Sequence, residues 1–154
     1  MRTRILLLIA LGLTLISTHS AATDNPVGLW RTIDDKSGKE KSLVRVSESN
    51  GQLQITVEKL FREPGEEPNP LCDKCPGEKK NKPVIGMQIG SGLKKDGDVW
   101  SGGEILDPQN GKTYKCKVWL EDKGKKLHVR GFIGVSVLGR TQVWIREDQD
   151  TPLR

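Results

Sequence analysis

Apolar and polar residues alternate along most of this chain, and glycine-containing turns separate the alternating segments. Segment 52–61 is the clearest case, with polar residues on one face and four apolar residues on the other: Leu53, Ile55, Val57 and Phe61. A period of two with one apolar face predicts antiparallel strands around a single core. Tight turns such as Asn110-Gly111 and Lys123-Gly124 leave no room for crossover helices.

The alternation predicts about eight strands, the number that a small closed up-and-down barrel needs. Their predicted ranges are 27–33, 41–48, 52–61, 84–93, 99–106, 113–120, 127–133 and 138–146. A proline-rich loop at about 62–83 separates the third strand from the fourth. Gly102-Gly103 within the fifth strand predicts a bulge or bend at a barrel corner. The predicted fold class is therefore all-β, a small antiparallel up-and-down β-barrel.

The two ends of the chain differ from this alternating middle. Arg2 and Arg4 precede an apolar run at 5–16, and Ser20-Ala21-Ala22 supplies small residues, which predicts a signal peptide (1–22) cleaved after about Ala22. The expected location is the periplasm or the exterior of a bacterial cell. The barrel domain is predicted at 23–147 and a flexible tail at 148–154. No other segment approaches about 18 consecutive apolar residues, so we expect no transmembrane segment.

The charge of the chain does not favour nucleic acid as a partner. The net charge of +5 falls by two, to about +3, when Arg2 and Arg4 are removed. The remaining lysines are spread over turns instead of forming one basic face. We interpret the lysine runs at 79–82, 94–95 and 123–126 as solvated turns.

Cys72 and Cys75 form a Cys-x-x-Cys pair inside the loop 62–83. Thioredoxin-type chemistry needs a helix that lowers the pKa of the thiol, but Pro76-Gly77 follows the pair and no βαβ pattern surrounds it. In an exported protein the pair predicts a disulfide that pins the loop, either Cys72–Cys75 or from one of them to Cys116. A Cys116 left unpaired is expected to be a small buried apolar residue.

No metal or catalytic site is predicted. Four residues form a permitted zinc ligand set but lack a second close pair: Cys72, Cys75, Cys116 and His128. Glu104 and Asp107 resemble a carboxylate pair, but Asp107 begins a turn in which aspartate caps its own backbone. We therefore predict a protein that is not an enzyme and has no cofactor.

Four strings in the chain carry a resemblance to a known family. They are Pro83-Val84-Ile85-Gly86-Met87, Trp100-Ser101-Gly102-Gly103-Glu104-Ile105-Leu106-Asp107-Pro108, Val129-Arg130-Gly131-Phe132-Ile133-Gly134 and Gly139-Arg140-Thr141-Gln142. With them, nearly the whole mature chain resembles the exported bacterial proteins catalogued as domain of unknown function 2147 (DUF2147). The resemblance implies a lipocalin-like (calycin-type) barrel outside the cytoplasm and no settled reaction.

Gly28-Leu29-Trp30 is similar to the G-x-W opening of lipocalins and related barrels. That resemblance implies that Trp30 closes one end of the barrel beneath an arginine, which ties the first strand to the last. The candidate arginines are Arg146 and Arg140, with Arg130 as a third.

The leading functional hypothesis is a barrel that binds a small, partly apolar (lipophilic) molecule in its lumen. Candidate ligand-binding residues are Trp30, Trp100, Tyr114, Trp119, Arg130 and Trp144. For the tryptophans, packing in the core is the competing interpretation. Two other functions remain open: a cell-envelope protein-interaction module with a filled core, which uses the loop 62–83, and a Cys-x-x-Cys redox protein.

Overall fold

The computed structural model describes residues 24–147, which form a closed antiparallel barrel. Each strand pairs with the next, and the last pairs with the first. The strands are β1 (Gly28–Ile33), β2 (Glu40–Ser49), β3 (Gln52–Leu60), β4 (Gln88–Asp96), β5 (Val99–Asp107), β6 (Lys112–Glu121), β7 (Lys126–Phe132) and β8 (Arg140–Arg146). The predicted all-β barrel is confirmed. The predicted signal peptide 1–22 and tail 148–154 lie outside the described residues.

Two short 3-10 helices, Gly77–Lys79 and Ser136–Leu138, lie in loops of the barrel. Within residues 24–147, no helix is long and apolar enough to cross a bilayer.

Turn chemistry joins consecutive strands as the sequence predicts. Asn50 and Gly51 connect β2 to β3 with φ values of 52° and 72°, the left-handed pair that a two-residue hairpin needs to match the strand twist. Between β5 and β6, the backbone N–H of Gln109 donates to Oδ1 of Asp107 at 2.9 Å. The side chain of Asp107 therefore serves the turn, as predicted.

The predicted irregularity in β5 is a bulge. The pairing register between β5 and β6 shifts between Trp100 and Gly103, and Gly102 has a φ of 77°. A Cβ atom on Gly103 would lie 2.5 Å from the carbonyl oxygen of Ser91 and 2.6 Å from Cγ of Leu93. Glycine is required there because two backbones approach closely inside the barrel wall.

The predicted start of the fourth strand at Val84 is wrong, because β4 begins at Gln88. Gly86 has a φ of 87°, and the N–H of Met87 donates to the carbonyl of Val84 at 3.1 Å. This turn interrupts the extended backbone that alternation alone implied. Gly86 and Met87 remain attached to β3 through hydrogen bonds of 2.8 and 3.0 Å to the backbone of Val57.

The other strand limits lie within three residues of those predicted, and the differences include the end of β3 and the start of β8. Phe61 lies just beyond β3 and is half-buried, with its ring 5.7 Å from the guanidinium of Arg31 and 5.5 Å from the ammonium of Lys59. At the other limit, β8 begins at Arg140 because 136–138 is helical. Both errors fall where a strand meets a loop, and there the local period carries little information.

The two ends of the barrel have different connections. The closed end holds the short β2–β3, β4–β5 and β6–β7 turns, the start of β1 and the end of β8. The open end holds the β1–β2 turn, the long β3–β4 loop, the β5–β6 turn and the β7–β8 loop. The long loop sits on the β5–β6 turn so closely that a Cβ atom on Gly111 would lie 1.9 Å from the carbonyl oxygen of Lys74.

Candidate functional site

Trp30 and Arg146 close one end of the barrel. They are cross-strand partners on β1 and β8, and the guanidinium lies 4.2 Å from the centroid of the indole. Trp30 is fully buried, and its Nε1 donates to the carbonyl of Pro26 at 2.8 Å. A cation on the face of a buried indole contributes about 1–2 kcal/mol.

Arg146 also donates to three backbone carbonyls. Its Nε bonds Gly124 at 2.7 Å, its Nη1 bonds Val27 at 3.0 Å and its Nη2 bonds Asn25 at 2.8 Å. Burial lowers the pKa of the Arg146 guanidinium, because desolvation disfavours the charged form. An arginine nevertheless stays protonated near neutral pH. One side chain thus joins the segment before β1, the β6–β7 turn and β8.

Neither of the other candidate arginines lies on Trp30, so predicting Arg140 or Arg130 in that role is wrong. Arg140 is at the opposite end of β8 and forms an ion pair with Asp35 in the β1–β2 turn. It therefore joins the first and last strands at the open end. Arg130 points outward from β7, where its Nε donates to the carbonyl of Ser136 at 2.7 Å.

The half of the barrel near the closed end is filled by side chains. Trp30 is 0%, Trp144 2% and Trp100 7% exposed, packed with Leu53 and Leu127 in one apolar cluster. For these three tryptophans the structure agrees with core packing, not with the lining of an open lumen. The indole Nε1 of Trp144 donates to Oε1 of Gln142 at 3.1 Å, so its polar atom is satisfied.

Trp119 lies on the outer wall, so the prediction that it lines the lumen is wrong. Cys116 and Val118 are buried inside β6, and alternation turns Trp119 outward. Its ring stacks on His128 of β7 with centroids 5.1 Å apart, and its Nε1 donates to Glu121 at 3.0 Å. Arg130 points outward for the same reason, since Val129 beside it is buried.

Six inward positions near the open end remain partly exposed. Cross-strand pairs place them on the inner face, for example Ile105 with Tyr114 and Gly131 with Arg140. We call this set the open-end ring: Leu60, Ile105, Tyr114, Gly131, Arg140 and Gln142. Tyr114 is one of the ligand-binding residues predicted from the sequence, whereas Leu60, Ile105 and Gly131 are not among them. The feature of the sequence that points to Ile105 is the β5–β6 hairpin, in which Ile105 lies opposite Tyr114.

The open-end ring combines apolar walls with a few polar groups. The hydroxyl of Tyr114 accepts a hydrogen bond from Nδ2 of Asn110 at 3.1 Å, which leaves its own proton able to donate. Gly131 contributes no side chain, and a Cβ atom there would lie 3.4 Å from Cβ of Tyr114 and 3.9 Å from Cγ2 of Ile105. An apolar surface with few convergent polar groups is typical of a small-molecule site.

The cysteines are structural in this fold. Cys72 and Cys75 form a disulfide inside the long loop, and both are buried, 1% and 2% exposed. Of the three pairings left open by the sequence, the structure contains Cys72–Cys75. Cys116 is a free buried thiol, and burial raises its pKa to about 12. Residues 24–147 contain no group of three or more potential metal ligands placed to hold an ion.

A concave surface lies outside the barrel, between the long loop and the start of β4. It is a groove of about 340 Å³. Its lining residues are Lys79, Lys82, Pro83, Ile85, Gly86, Met87 and Gln88.

Comparison with known proteins agrees with this architecture. The family model described as "Uncharacterized protein conserved in bacteria (DUF2147)" matches residues 28–146. A solved structure described as "Protein HP1028 from the human pathogen Helicobacter pylori belongs to the lipocalin family" superposes with a TM-score of 0.71 at 23% identity, covering 83% of this chain and 86% of that chain. Among curated proteins, none matches.

Proposed function

Since the chain belongs to the DUF2147 family and folds as a lipocalin-like barrel, we propose that it binds a small, partly apolar molecule within the open-end ring. One contrast carries this proposal. Inward side chains near the closed end are buried against one another, whereas those of the open-end ring keep solvent exposure. A ligand that enters from the open end therefore has apolar surface to cover.

The geometry limits the size and chemistry of this ligand. Because the filled half begins at Trp144 and at the buried hydroxyl pair of Thr32 and Ser42, 2.7 Å apart, a ligand would reach only part of the way down the barrel. Ile105 and Leu60 offer aliphatic contact. The Tyr114 hydroxyl supplies a hydrogen-bond donor for a polar group on the ligand.

We further propose that the protein is exported and is not an enzyme. The predicted signal peptide and the Cys72–Cys75 disulfide both suit an oxidising compartment. Exchange of that disulfide with a partner requires access to a sulfur, and both sulfurs belong to buried residues. The raised pKa of Cys116 keeps it as a thiol, the less reactive form. These features support a structural role for all three cysteines.

Filling the ring tests the proposal. Gly131→Val places a branched side chain between Tyr114 and Ile105 without left-handed backbone strain. Ser91→Val adds the same side chain at an exposed position on β4 and serves as the control. Binding to a panel of lipophiles is followed by intrinsic tryptophan fluorescence, and copurified molecules are sought by native mass spectrometry. We expect G131V to weaken binding at least about tenfold and S91V to leave it unchanged.

Two results would reject ligand binding in the ring. One is a wild-type protein with neither a copurified molecule nor a response to the panel. The other is a folded G131V variant that binds as tightly as the wild type.

The external groove favours a second candidate function, in which the long loop binds a protein. Lys79 and Lys82 would attract an acidic partner to the apolar surface of Ile85 and Met87. Lys82→Glu should then abolish capture of a partner while the affinity for a lipophile stays the same. Capture that survives the substitution excludes the groove.

A further inference from the structure

The β7–β8 loop at the open end exposes an unusual amount of apolar surface. Four of the seven exposed large hydrophobic residues of the described chain lie in it, and we call them the apolar tip: Ile133 (68% exposed), Val135 (62%), Val137 (84%) and Leu138 (79%). Exposed aliphatic residues concentrated in one loop indicate an interaction surface.

Hydrogen bonds from Arg130 of β7 and within the loop itself satisfy several backbone groups of the loop that carries the apolar tip. Arg130 donates from Nε to the carbonyl of Ser136 at 2.7 Å and from Nη2 to that of Val137 at 3.1 Å. The N–H of Gly139 donates to Ser136 at 3.1 Å, and the N–H of Leu138 donates to Val135 at 3.2 Å. These bonds occupy the carbonyls of Val135, Ser136 and Val137 and the N–H groups of Leu138 and Gly139, which lowers the cost of bringing these backbone groups close to hydrocarbon.

Unpaired basic side chains lie beside the tip on the outer wall. Lys115 of β6 is the cross-strand partner of Phe132, and Lys117 is the partner of Arg130. Neither lysine forms an ion pair with a carboxylate of residues 24–147. Glu104 of β5 is the cross-strand partner of Lys115, but no ion pair joins their side chains. An apolar tip flanked by unneutralised lysines complements a surface that is apolar inside and anionic outside.

The size of the tip separates two possible occupants. An aliphatic side chain offers about 60–120 Å² of apolar surface, so four offer about 240–480 Å². A stable interface between two copies buries about 800 Å² on each partner. A bilayer needs no surface that is complementary in shape to the tip. Aliphatic side chains can insert between the lipid headgroups and contact the acyl chains.

We propose that the apolar tip docks the protein onto an anionic phospholipid bilayer. Val137 and Leu138 insert below the headgroups, while Lys115 and Lys117 contact the anionic headgroups. Docking places the open end of the barrel against the lipid. The proposal uses residues outside the open-end ring, so it stands or fails independently of ligand binding in the ring.

Vesicle cosedimentation of the protein purified after export, without the predicted signal peptide, tests the docking. The vesicles are phosphatidylcholine alone, or phosphatidylcholine with phosphatidylglycerol at about three to one. The double variant V137S/L138S removes apolar surface and keeps both backbone carbonyls, and we expect it to lose at least about tenfold in partitioning. Val27→Ser, at an apolar residue near the closed end with 39% exposure, is the matched control and should bind like the wild type.

The lysines give a second arm with a different readout. K115Q/K117Q should weaken binding to phosphatidylglycerol vesicles by about fivefold per lysine and leave binding to phosphatidylcholine unchanged. Higher salt should reduce the same component.

Insertion is measured directly with an environment-sensitive fluorophore on an introduced cysteine. A label on Val137→Cys should shift its emission to the blue when vesicles are added, and a label on Val27→Cys should not. Absence of wild-type binding, equal binding by V137S/L138S or an unshifted Val137→Cys label would overturn the proposal. So would a dimer in sedimentation velocity that V137S/L138S dissociates, because the occupant would then be a second copy.

Discussion

Gly28 lies directly beneath Arg146: a Cβ atom on Gly28 would be 2.7 Å from Nη1 of the guanidinium. Trp30, on the same face of β1, supplies the ring on which that guanidinium rests. The spacing of the Gly-x-Trp motif thus has a physical cause. Glycine leaves room for the arginine to cross the first strand, and the indole two positions later holds its cation.

The first prediction concerns Gly28→Ala. Gly28 has a φ of 148°, a backbone conformation in which other residues cost about 1–3 kcal/mol. The added methyl group would also displace Arg146 from its carbonyl partners. We expect a loss of about 2–4 kcal/mol in the free energy of unfolding, measured by urea denaturation.

A double-mutant cycle isolates the part due to the arginine. In an Arg146→Ala background, Gly28→Ala should cost less, because the displaced group is already gone. Equal costs in the two backgrounds would mean that the contact does not matter.

The second prediction compares two arginine-to-lysine substitutions on β8. Lysine at position 146 keeps the charge but lacks the planar fork that reaches three carbonyls, so we expect a loss of about 1–3 kcal/mol. Arg140→Lys is the control, since its exposed ion pair with Asp35 should contribute at most about 1 kcal/mol. Similar unfolding midpoints for the two variants would contradict this assignment.

Much of the fold could be predicted from the sequence because its signals are local. Alternation at 52–57 and turn residues such as Asn50-Gly51 determine strands and hairpins within a few residues of chain. The fourth strand was the exception. There one glycine, Gly86, adopts a left-handed conformation that alternation does not reveal.

The ligand site was harder to predict. Whether a side chain points into or out of the barrel depends on its position in the inward–outward alternation of its strand. Tyr114 and Trp119 lie at opposite phase on β6, so they could not both line the lumen of a regular strand. Gly131 carries no side chain that a search for chemical groups would select. Its importance comes from the space between Tyr114 and Ile105, which only the cross-strand register reveals.

The third prediction concerns the free thiol. Cys116 is 1% exposed, so a thiol reagent should modify the native protein slowly and the urea-unfolded protein at one site. Complete modification within seconds under native conditions would show that the strand opens there.

A fourth prediction follows from the pKa of Cys116, raised by burial from 9.0 to about 12. The folded state keeps the proton that the unfolded state releases, so this stability is fully present below about pH 9 and is lost as the pH rises toward 12. We expect the unfolding midpoint of the wild type to fall more steeply over that window than that of Cys116→Ala. The comparison cancels the titration of lysines shared by both proteins. Parallel pH profiles would contradict the assignment.

The final prediction contrasts the two adjacent glycines of the β5 bulge. Gly102 has a left-handed φ and open space at its Cβ position, so Gly102→Ala should cost about 1–2 kcal/mol from backbone strain. Gly103→Ala would place a methyl group 2.5 Å from the carbonyl oxygen of Ser91, and a backbone atom cannot turn aside as a side chain can. We therefore expect a loss of about 3 kcal/mol or more, measured by urea denaturation. If Gly103→Ala proves no more costly than Gly102→Ala, β4 and β5 do not approach so closely at the bulge.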